Sequence, residues 1–403
     1  MRRYSVLIVF FIISMLGYSC APKEVTKCTL PEDNPEHHYL IGMKALEEGN
    51  YDLAMEKFER ALYCDENFSK AYSGRAIARA EKAKMIKDTD VRKIEIERIE
   101  KDLKTAKRKA NTSEEEFDYY VAKIRTLTAL KTNNWLEETE KAHFSAIDLK
   151  VDENRLTYYQ GKEAANFFMG LAYFEALDFE KAKTQFRAVL NSKKDGKWNE
   201  RADKAWKKTD KITRAMAGIT VGDAGKRIAI KDSITRADLT ALLINELKID
   251  KLFAGRIPIQ SQREKIKPEF TPADIINSPF REEILTIMKW KIRGLEPKYD
   301  EKMKAYLFKP EEVVKRGEMA LILEDVLIKL TGDEKIATAF FGHEKSPFPD
   351  IRTTSPIYNA VMNMVTRGIM EPELSGEFNP ERPVDGAEAI LAIRMLKQRL
   401  NIY

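Results

Sequence analysis

Two arginines occupy the same place in a short motif that recurs in the second half of this chain. Arg236 lies in Ile-Thr-Arg-Ala-Asp at 234–238, and Arg316 lies in Val-Lys-Arg-Gly-Glu at 314–318. Each motif opens an apolar run with helical spacing, so the pattern places a cation in the first turn of a helix. Backbone N–H groups are free in such a turn, and a cation beside them makes an anion receptor. The alternative is that each arginine pairs with a neighbouring carboxylate and holds the repeats together.

A third copy of the motif, Val-Asp-Gly-Ala-Glu at 384–388, has Gly386 in place of the arginine. Asp238 and Glu318 close the first two copies, in a helical turn where the helix dipole favours an anion. The sequence therefore predicts three capped helices of one kind, of which at most two carry an anion receptor.

Other chemistry is not indicated by the sequence. It contains no phosphate-binding loop, no dinucleotide fingerprint and no hydrolase or metalloprotease motif. His37 and His38 are adjacent and point in different directions on a helix, while His143 and His343 have no nearby cysteine or histidine. We therefore expect no catalytic residues, no metal site and no cofactor, and a protein that is not an enzyme.

Length and charge limit the class of protein. The chain has 403 residues and a formal charge of +5, with basic and acidic residues interspersed. Such a balance does not favour nucleic acid as a partner, and the length suffices for two or three domains.

The first twenty residues resemble a bacterial lipoprotein signal. Arg2 and Arg3 precede an apolar run at 6–16, and Leu-Gly-Tyr-Ser at 16–19 precedes Cys20. The resemblance implies a signal peptide at 1–19, removed to leave Cys20 with acyl chains such as palmitate, followed by a lipidated linker at 20–34. Such chains bind the mature protein to a membrane. The alternative is an ordinary secretory signal cut nearby.

Residues 35–68 form two helical runs that are separated by Gly49 and Asn50. Small residues at the crossing let the two helices pack closely, and a phenylalanine fills the gap between them. This pattern resembles the tetratricopeptide repeat, and a second copy follows at 163–190. The resemblance implies an array of paired helices over 35–200 whose groove binds a peptide or another protein. The predicted packing residues are Gly42, Ala54, Phe58, Ala61, Gly170, Ala182 and Phe186.

Two further cysteines flank the first helix pair. In an antiparallel pair the end of the second helix, at Cys64, lies beside the start of the first, which Cys28 precedes. A disulfide between them would hold the leading segment on the array in an exported protein. The alternative is two free thiols.

The second half, 203–403, resembles the S-layer homology domain, which three repeats build. We expect the repeats at about 203–250, 270–330 and 347–400, and call them repeats 1, 2 and 3. The resemblance rests on the three motifs above, on Asp-Ile turns at 274 and 350, and on Phe-x-Pro before the second and third motifs.

The resemblance also implies roles for the conserved polar positions of the motif. It assigns Arg236 and Arg316 to an acidic cell-wall glycan, with Asp274 and Asp350 as acceptors for its hydroxyl groups. In the family an early tryptophan offers a face for sugar stacking, and prolines stand in its place here. The glycan can therefore differ, or the module can be purely structural.

Together these patterns predict an all-α protein that links membrane to cell wall. The N-terminal tetratricopeptide-like array docks a partner protein, and the C-terminal module binds wall polysaccharide or peptidoglycan. The favoured location is the outer membrane facing the periplasm, with the cell surface as the alternative. The competing function is a pilotin-like or outer-membrane assembly and secretion lipoprotein that escorts a client protein.

Overall fold

The computed structural model describes Cys28 and residues 30–192, 195–255 and 268–401. In this part of the chain helices dominate, and the paired strands form a single two-stranded hairpin. The predicted all-α class is confirmed.

The chain folds as two compact units. The first contains the described residues up to Leu130 together with Lys150–Tyr158. The second contains Lys131–Leu149 and the described residues from Tyr159 onward. The predicted domain limits at 35–200 and 203–403 stay a prediction.

The first unit is built from helices that follow one another closely along the chain. Asn50 caps the second of them, since its Oδ1 accepts a hydrogen bond from the N–H of Leu53 at 3.1 Å. The helices are α1 (Pro35–Glu47), α2 (Tyr51–Cys64), α3 (Ser69–Ala83), α4 (Thr89–Lys109) and α5 (Ser113–Leu130).

Phe58 sets the spacing of the first three helices. A Cβ added to Gly42 of α1 would lie 2.6 Å from the Phe58 ring, and one added to Gly74 of α3 would lie 2.3 Å from it. Ala54 and Ala61, one turn to either side of Phe58 on α2, are fully buried. Glycine therefore lets both neighbouring helices contact the ring directly, because any side chain there would push them apart.

A disulfide joins Cys28 to Cys64, with 5.5 Å between their Cα atoms. Beside it, Asp33 accepts hydrogen bonds from Arg60 at 3.0 Å and from the ring of His38 at 2.7 Å. The Arg60 guanidinium, and then His38, lower the pKa of Asp33 to about 2. Among the described residues, Cys28, Asp33 and Cys64 form the one group of metal-ligand type with suitable spacing, and the disulfide occupies both sulfurs.

The carboxyl group of Asp118 is buried in the first unit. The hydroxyl of Tyr39 on α1 donates a hydrogen bond to Asp118 of α5 at 2.5 Å. Burial raises the pKa of Asp118 to about 7, although the charge of Lys70 acts in the opposite direction. This carboxyl group therefore couples the stability of the unit to pH.

The second unit begins with a single helix, continues with a helix pair and ends in the three repeats. Its helices are α6 (Trp135–Asp148), α7 (Glu163–Glu175), α8 (Phe179–Ser192), α9 (Asn199–Met216), α10 (Asp223–Ala229), α11 (Arg236–Asn245), α12 (Ile249–Ala254), α13 (Arg281–Lys289), α14 (Arg316–Thr331), α15 (Tyr358–Thr366) and α16 (Gly386–Arg399). The hairpin strands are β1 (Lys298–Asp300) and β2 (Ala305–Leu307).

The α7–α8 pair repeats the packing of the first unit. A Cβ on Gly170 would lie 2.5 Å from the ring of Phe186, and Ala182 is fully buried. The two pairs have the contacts expected of tetratricopeptide repeats, but membership of that family stays a prediction. The proposed signal and Cys20 lie outside the described residues. Within those residues, no helix combines the length and apolarity needed to cross a bilayer.

Candidate functional site

The three repeats are joined by a closed cycle of backbone hydrogen bonds. The N–H of Ile234 donates to the carbonyl of Val384 at 2.9 Å, that of Val384 to Val314 at 3.0 Å, and that of Val314 to Ile234 at 3.0 Å. All three side chains are buried. Each residue opens one of the recurring motifs, so the motifs meet at the centre of a ring of repeats.

Helix packing follows the same cycle. The first helix of repeat 2, α13, packs on α11 of repeat 1, and α15 of repeat 3 packs on α14 of repeat 2. Both α9 and α10 pack on α16, the last helix of repeat 3. The ring therefore closes through helices that precede the first motif.

Arg236 is buried at the junction between repeats 1 and 2. Its Nε, Nη1 and Nη2 donate to the carbonyls of Phe308, Gly294 and Glu296 at 2.9, 2.6 and 2.9 Å. The guanidinium carbon lies 4.9 Å from the centre of the Phe308 ring. Burial lowers the pKa of Arg236, and carbonyl dipoles compensate the buried charge.

Arg316 repeats this arrangement between repeats 2 and 3. Its Nε and Nη2 donate to the carbonyls of Phe378 and Glu371, each at 2.7 Å, and Nη1 bonds to the carboxylate of Glu388. Its guanidinium carbon lies 4.6 Å from the Phe378 ring centre. Both arginines therefore fasten one repeat to the Phe-x-Pro loop of the next.

The two aspartates of the Asp-Ile turns hold the same loops. The carboxylate of Asp274 accepts the N–H groups of Phe308 and of the next residue at 3.1 and 2.7 Å. Asp350 does the same for Phe378 and its successor at 3.0 and 2.6 Å. These hydrogen bonds satisfy both carboxylates without a ligand. The binding of glycan hydroxyl groups by the two aspartates stays a prediction.

The backbone N–H groups at the start of the three motif helices are paired. Arg236 N donates to Glu312 O at 2.9 Å, and Arg316 N donates to Arg382 O at 3.0 Å. Gly386 N donates to Lys231 O at 2.9 Å. The expectation of free N–H groups beside the arginines was therefore wrong, because the loop of the neighbouring repeat supplies the acceptors.

The third junction explains why Gly386 replaces an arginine. A Cβ at this position would lie 1.8 Å from the carbonyl oxygen of Ile228 and 2.8 Å from the Cα of Ala229. The end of α10 thus fills the place where a side chain would project. A glycine is required because the atoms in contact belong to the backbone.

Beside the second arginine, a cavity of about 440 Å³ opens between α9, α16 and the loop of repeat 3. Arg316 lies in its wall, although its side chain is almost fully buried. The basic side chains that line the cavity are Lys211, Arg214, Arg316, Arg382 and Arg394, and the acidic ones are Glu371, Glu373 and Glu388.

Several of the cations that line the cavity are paired within the protein, but some of their N–H groups have no hydrogen-bond partner in the part of the chain that the structure describes. Arg382 lies 3.0 Å from the carboxylate of Glu388 and 3.5 Å from that of Glu373. Arg394 donates through Nη1 to the carbonyl of Arg214 at 2.6 Å. The Nε atoms of Arg382 and Arg394 are buried and have no hydrogen-bond partner among the described residues. Lys211 and Arg214 are paired with Asp385 and Asp210, which are not among the lining residues. Among the lining side chains five are basic and three are acidic, and this local surplus of positive charge suits an anionic group.

Comparison with protein families assigns the last part of the ring. Residues 347–390 match the model of the S-layer homology domain. The matched segment contains Asp350, α15, Phe378 and the start of α16, which are elements of the third repeat. Searches of curated proteins and of solved structures gave no match.

The S-layer homology match supports an association with the cell envelope or surface, with cell-wall polysaccharide as the class of partner. Such a helical module is typical of anchoring rather than of catalysis.

The sequence pattern indicated Arg316 but not the other cations of the cavity. Lys211 and Arg214 stand in a charged helix before the first motif, where nothing in the local sequence shows that the helix returns to the last one. Arg382 lies two residues before the third motif and was visible only as part of its loop. The one available signal was the expected start of repeat 1 at about residue 203, which places this helix in the same module as the last one.

Proposed function

We propose that this protein is a non-enzymatic lipoprotein of the bacterial envelope that anchors a membrane to cell-wall glycan. The observation that carries the proposal is the cationic cavity beside Arg316, about half of whose lining residues belong to the segment that matches the S-layer homology domain. Its size lies within the range of about 300–1,000 Å³ typical of pockets for small ligands. We propose that an acidic group of the wall glycan binds there.

Arg316 would form the fixed base of the site, because its Nε and Nη2 hold the neighbouring loop and its Nη1 bonds to Glu388. Lys211 and Arg382 would contact the ligand, since their side chains are about half and one third exposed. Arg236, Asp274 and Asp350 would then act indirectly, by keeping the repeats in place.

The test is sedimentation of the full-length mature protein with purified wall sacculi that retain their acidic polysaccharide. We expect wild-type protein to sediment with the sacculi, less so at high salt, and Lys211→Gln with Arg382→Gln to weaken binding at least about tenfold. Arg281→Gln is the matched control, because Arg281 is an exposed arginine of α13 paired with its neighbour Glu282. Binding by the double variant equal to wild type would reject this cavity, and no binding by wild type would reject the wall anchor.

The proposal includes two roles for the N-terminal part. Acyl chains at Cys20 would attach the protein to the outer membrane on its periplasmic side or to the cell surface, and the helix pairs would dock a partner protein. Incorporation of labelled palmitate, and its loss in Cys20→Ala, tests the first role. Recovery of a secretion or pilus component by protein that never sediments with sacculi would favour the escort function instead.

A further inference from the structure

Repeat 2 carries an insertion that repeat 3 lacks. Eleven residues, 297–307, separate Glu296 from Phe308, whereas six residues, 372–377, separate Glu371 from Phe378. The longer loop forms the hairpin of β1 and β2, in which Tyr299 and Tyr306 are directly paired.

The paired tyrosines present their rings to solvent. Tyr299 is 48% exposed and Tyr306 is 57% exposed, with 5.3 Å between the ring centres. The carboxylate of Asp300 accepts the N–H groups of Lys302 and Met303, each at 3.1 Å, and so closes the hairpin turn. The two rings are therefore held on a defined scaffold and do not belong to the core.

A third ring extends this surface. Phe270 lies 6.2 Å from the ring centre of Tyr306 and is 41% exposed. In repeat 3 the aromatic residue before the Asp-Ile turn is Phe348, which stands two residues before Asp350 and is buried against Phe378, whereas Phe270 stands four residues before Asp274. Four residues before Asp350 repeat 3 has Ser346, so the exposed ring of Phe270 is a feature of repeat 2 that repeat 3 lacks.

Phe270 and Tyr306 line a groove of about 580 Å³, and Tyr299 stands beside it as the partner of Tyr306. Its floor is apolar and includes Met288 and Leu295. Its polar lining is Glu269, Lys291 and Glu296, and the Glu269 carboxylate lies 2.6 Å from the Lys291 ammonium. Two carboxylates against one ammonium do not suit a polyanion.

We propose that this groove binds an uncharged, N-acetylated sugar of the wall glycan. A sugar ring has an apolar C–H face, which can stack on Tyr306 or Phe270, and a polar edge that hydrogen-bonds to charged side chains. The acetamido N–H can donate to a carboxylate such as Glu296, its carbonyl can accept from Lys291, and its methyl group fits the apolar floor. The proposal rests on the wall-anchoring function and adds a second contact to it, separate from the cationic cavity.

The experiment uses the full chain and chitotetraose, an uncharged oligomer of N-acetylglucosamine, in saturation-transfer NMR and calorimetry. We expect transfer from aromatic protons to the sugar, and binding that weakens about tenfold or more in Tyr299→Ala/Tyr306→Ala. Tyr306→Phe keeps the ring and should bind within about threefold of wild type. Met303→Ala, at the exposed hairpin tip, is the matched control, and cellotetraose, which lacks acetamido groups, should bind more weakly.

Absence of chitotetraose binding by wild type, or unchanged binding by the double tyrosine variant, overturns the groove proposal. Sedimentation with sacculi separates this result from the proposed function, because a wild-type protein that still sediments keeps the anchor while losing the groove. A protein that copurifies with wild type but not with the tyrosine variant, in the absence of sugar binding, would assign the groove to a protein partner and also overturn the proposal.

Discussion

Arg236 offers the sharpest test of how the repeats are held together. Replacing it by methionine keeps most of the side-chain volume but removes three hydrogen bonds to carbonyls of the next repeat and the contact with the Phe308 ring. Breaking a buried, fully bonded charge of this kind costs about 3–5 kcal/mol, because the carbonyls lose their partners as well. We expect Arg236→Met to lower the free energy of unfolding of the second unit by that amount.

Urea unfolding followed by hydrogen exchange measures this loss for the second unit separately from the first. Arg236→Lys keeps the charge but cannot make the three-carbonyl contact, so we expect it to be destabilised too. Arg281→Met, at an exposed position at the start of α13, should change stability by less than about 0.5 kcal/mol. The reasoning would be refuted if Arg236→Met were as stable as wild type yet lost its binding to sacculi, because the arginine would then serve the ligand.

Three further changes test other parts of the structure. Gly386→Ala should destabilise the ring by about 1–3 kcal/mol or more, since its Cβ would collide with the backbone at Ile228; thermal unfolding measures this, and a stability within about 0.5 kcal/mol of wild type would contradict it. The first unit should lose stability as pH rises from about 4 to about 7, because Asp118 keeps its proton in the folded state and releases it in the unfolded state; Asp118→Asn should flatten this part of the pH profile, and an unchanged slope would count against it. Reduction of the Cys28–Cys64 disulfide, with a sequence separation of 36, should lower stability by about 3–4 kcal/mol; mass spectrometry after alkylation without reductant would contradict the bond if both thiols were labelled.

Local sequence was sufficient for the helices and for the positions of the three motifs. The capping pair of Thr235 and Asp238 forms as a first-turn motif should, with Thr235 N donating to the Asp238 carboxylate at 2.9 Å. Gly42 and Phe58 contact each other as their spacing on an antiparallel helix pair predicts.

The environment of Arg236 and Arg316 was not predictable in the same way. Their acceptors lie 55–72 residues further along the chain, and local spacing does not show that the neighbouring loop would reach the helix start. For the same reason Gly386 looked like a lost arginine, whereas the end of α10 requires glycine there. The two readings of the motif, anion receptor or fastening between repeats, differ only in tertiary contacts.

The cationic cavity and the aromatic groove were missed because each combines distant segments. Lys211 reaches the cavity from α9, and most of repeats 1 and 2 lies between it and Arg382 in the sequence. Tyr299 and Tyr306 become neighbours through a hairpin inside a domain otherwise built from helices. Neither arrangement has a signature within a single helix or loop.

Hydrogen exchange of the full-length mature protein, with and without soluble acidic wall polysaccharide, tests the wall-anchoring claim most directly. The account predicts slower exchange around the cavity, in residues 368–373 and in α9 and α16, with little change in α1–α5. No protection in these segments at saturating polysaccharide, or protection confined to α1–α5, would contradict it.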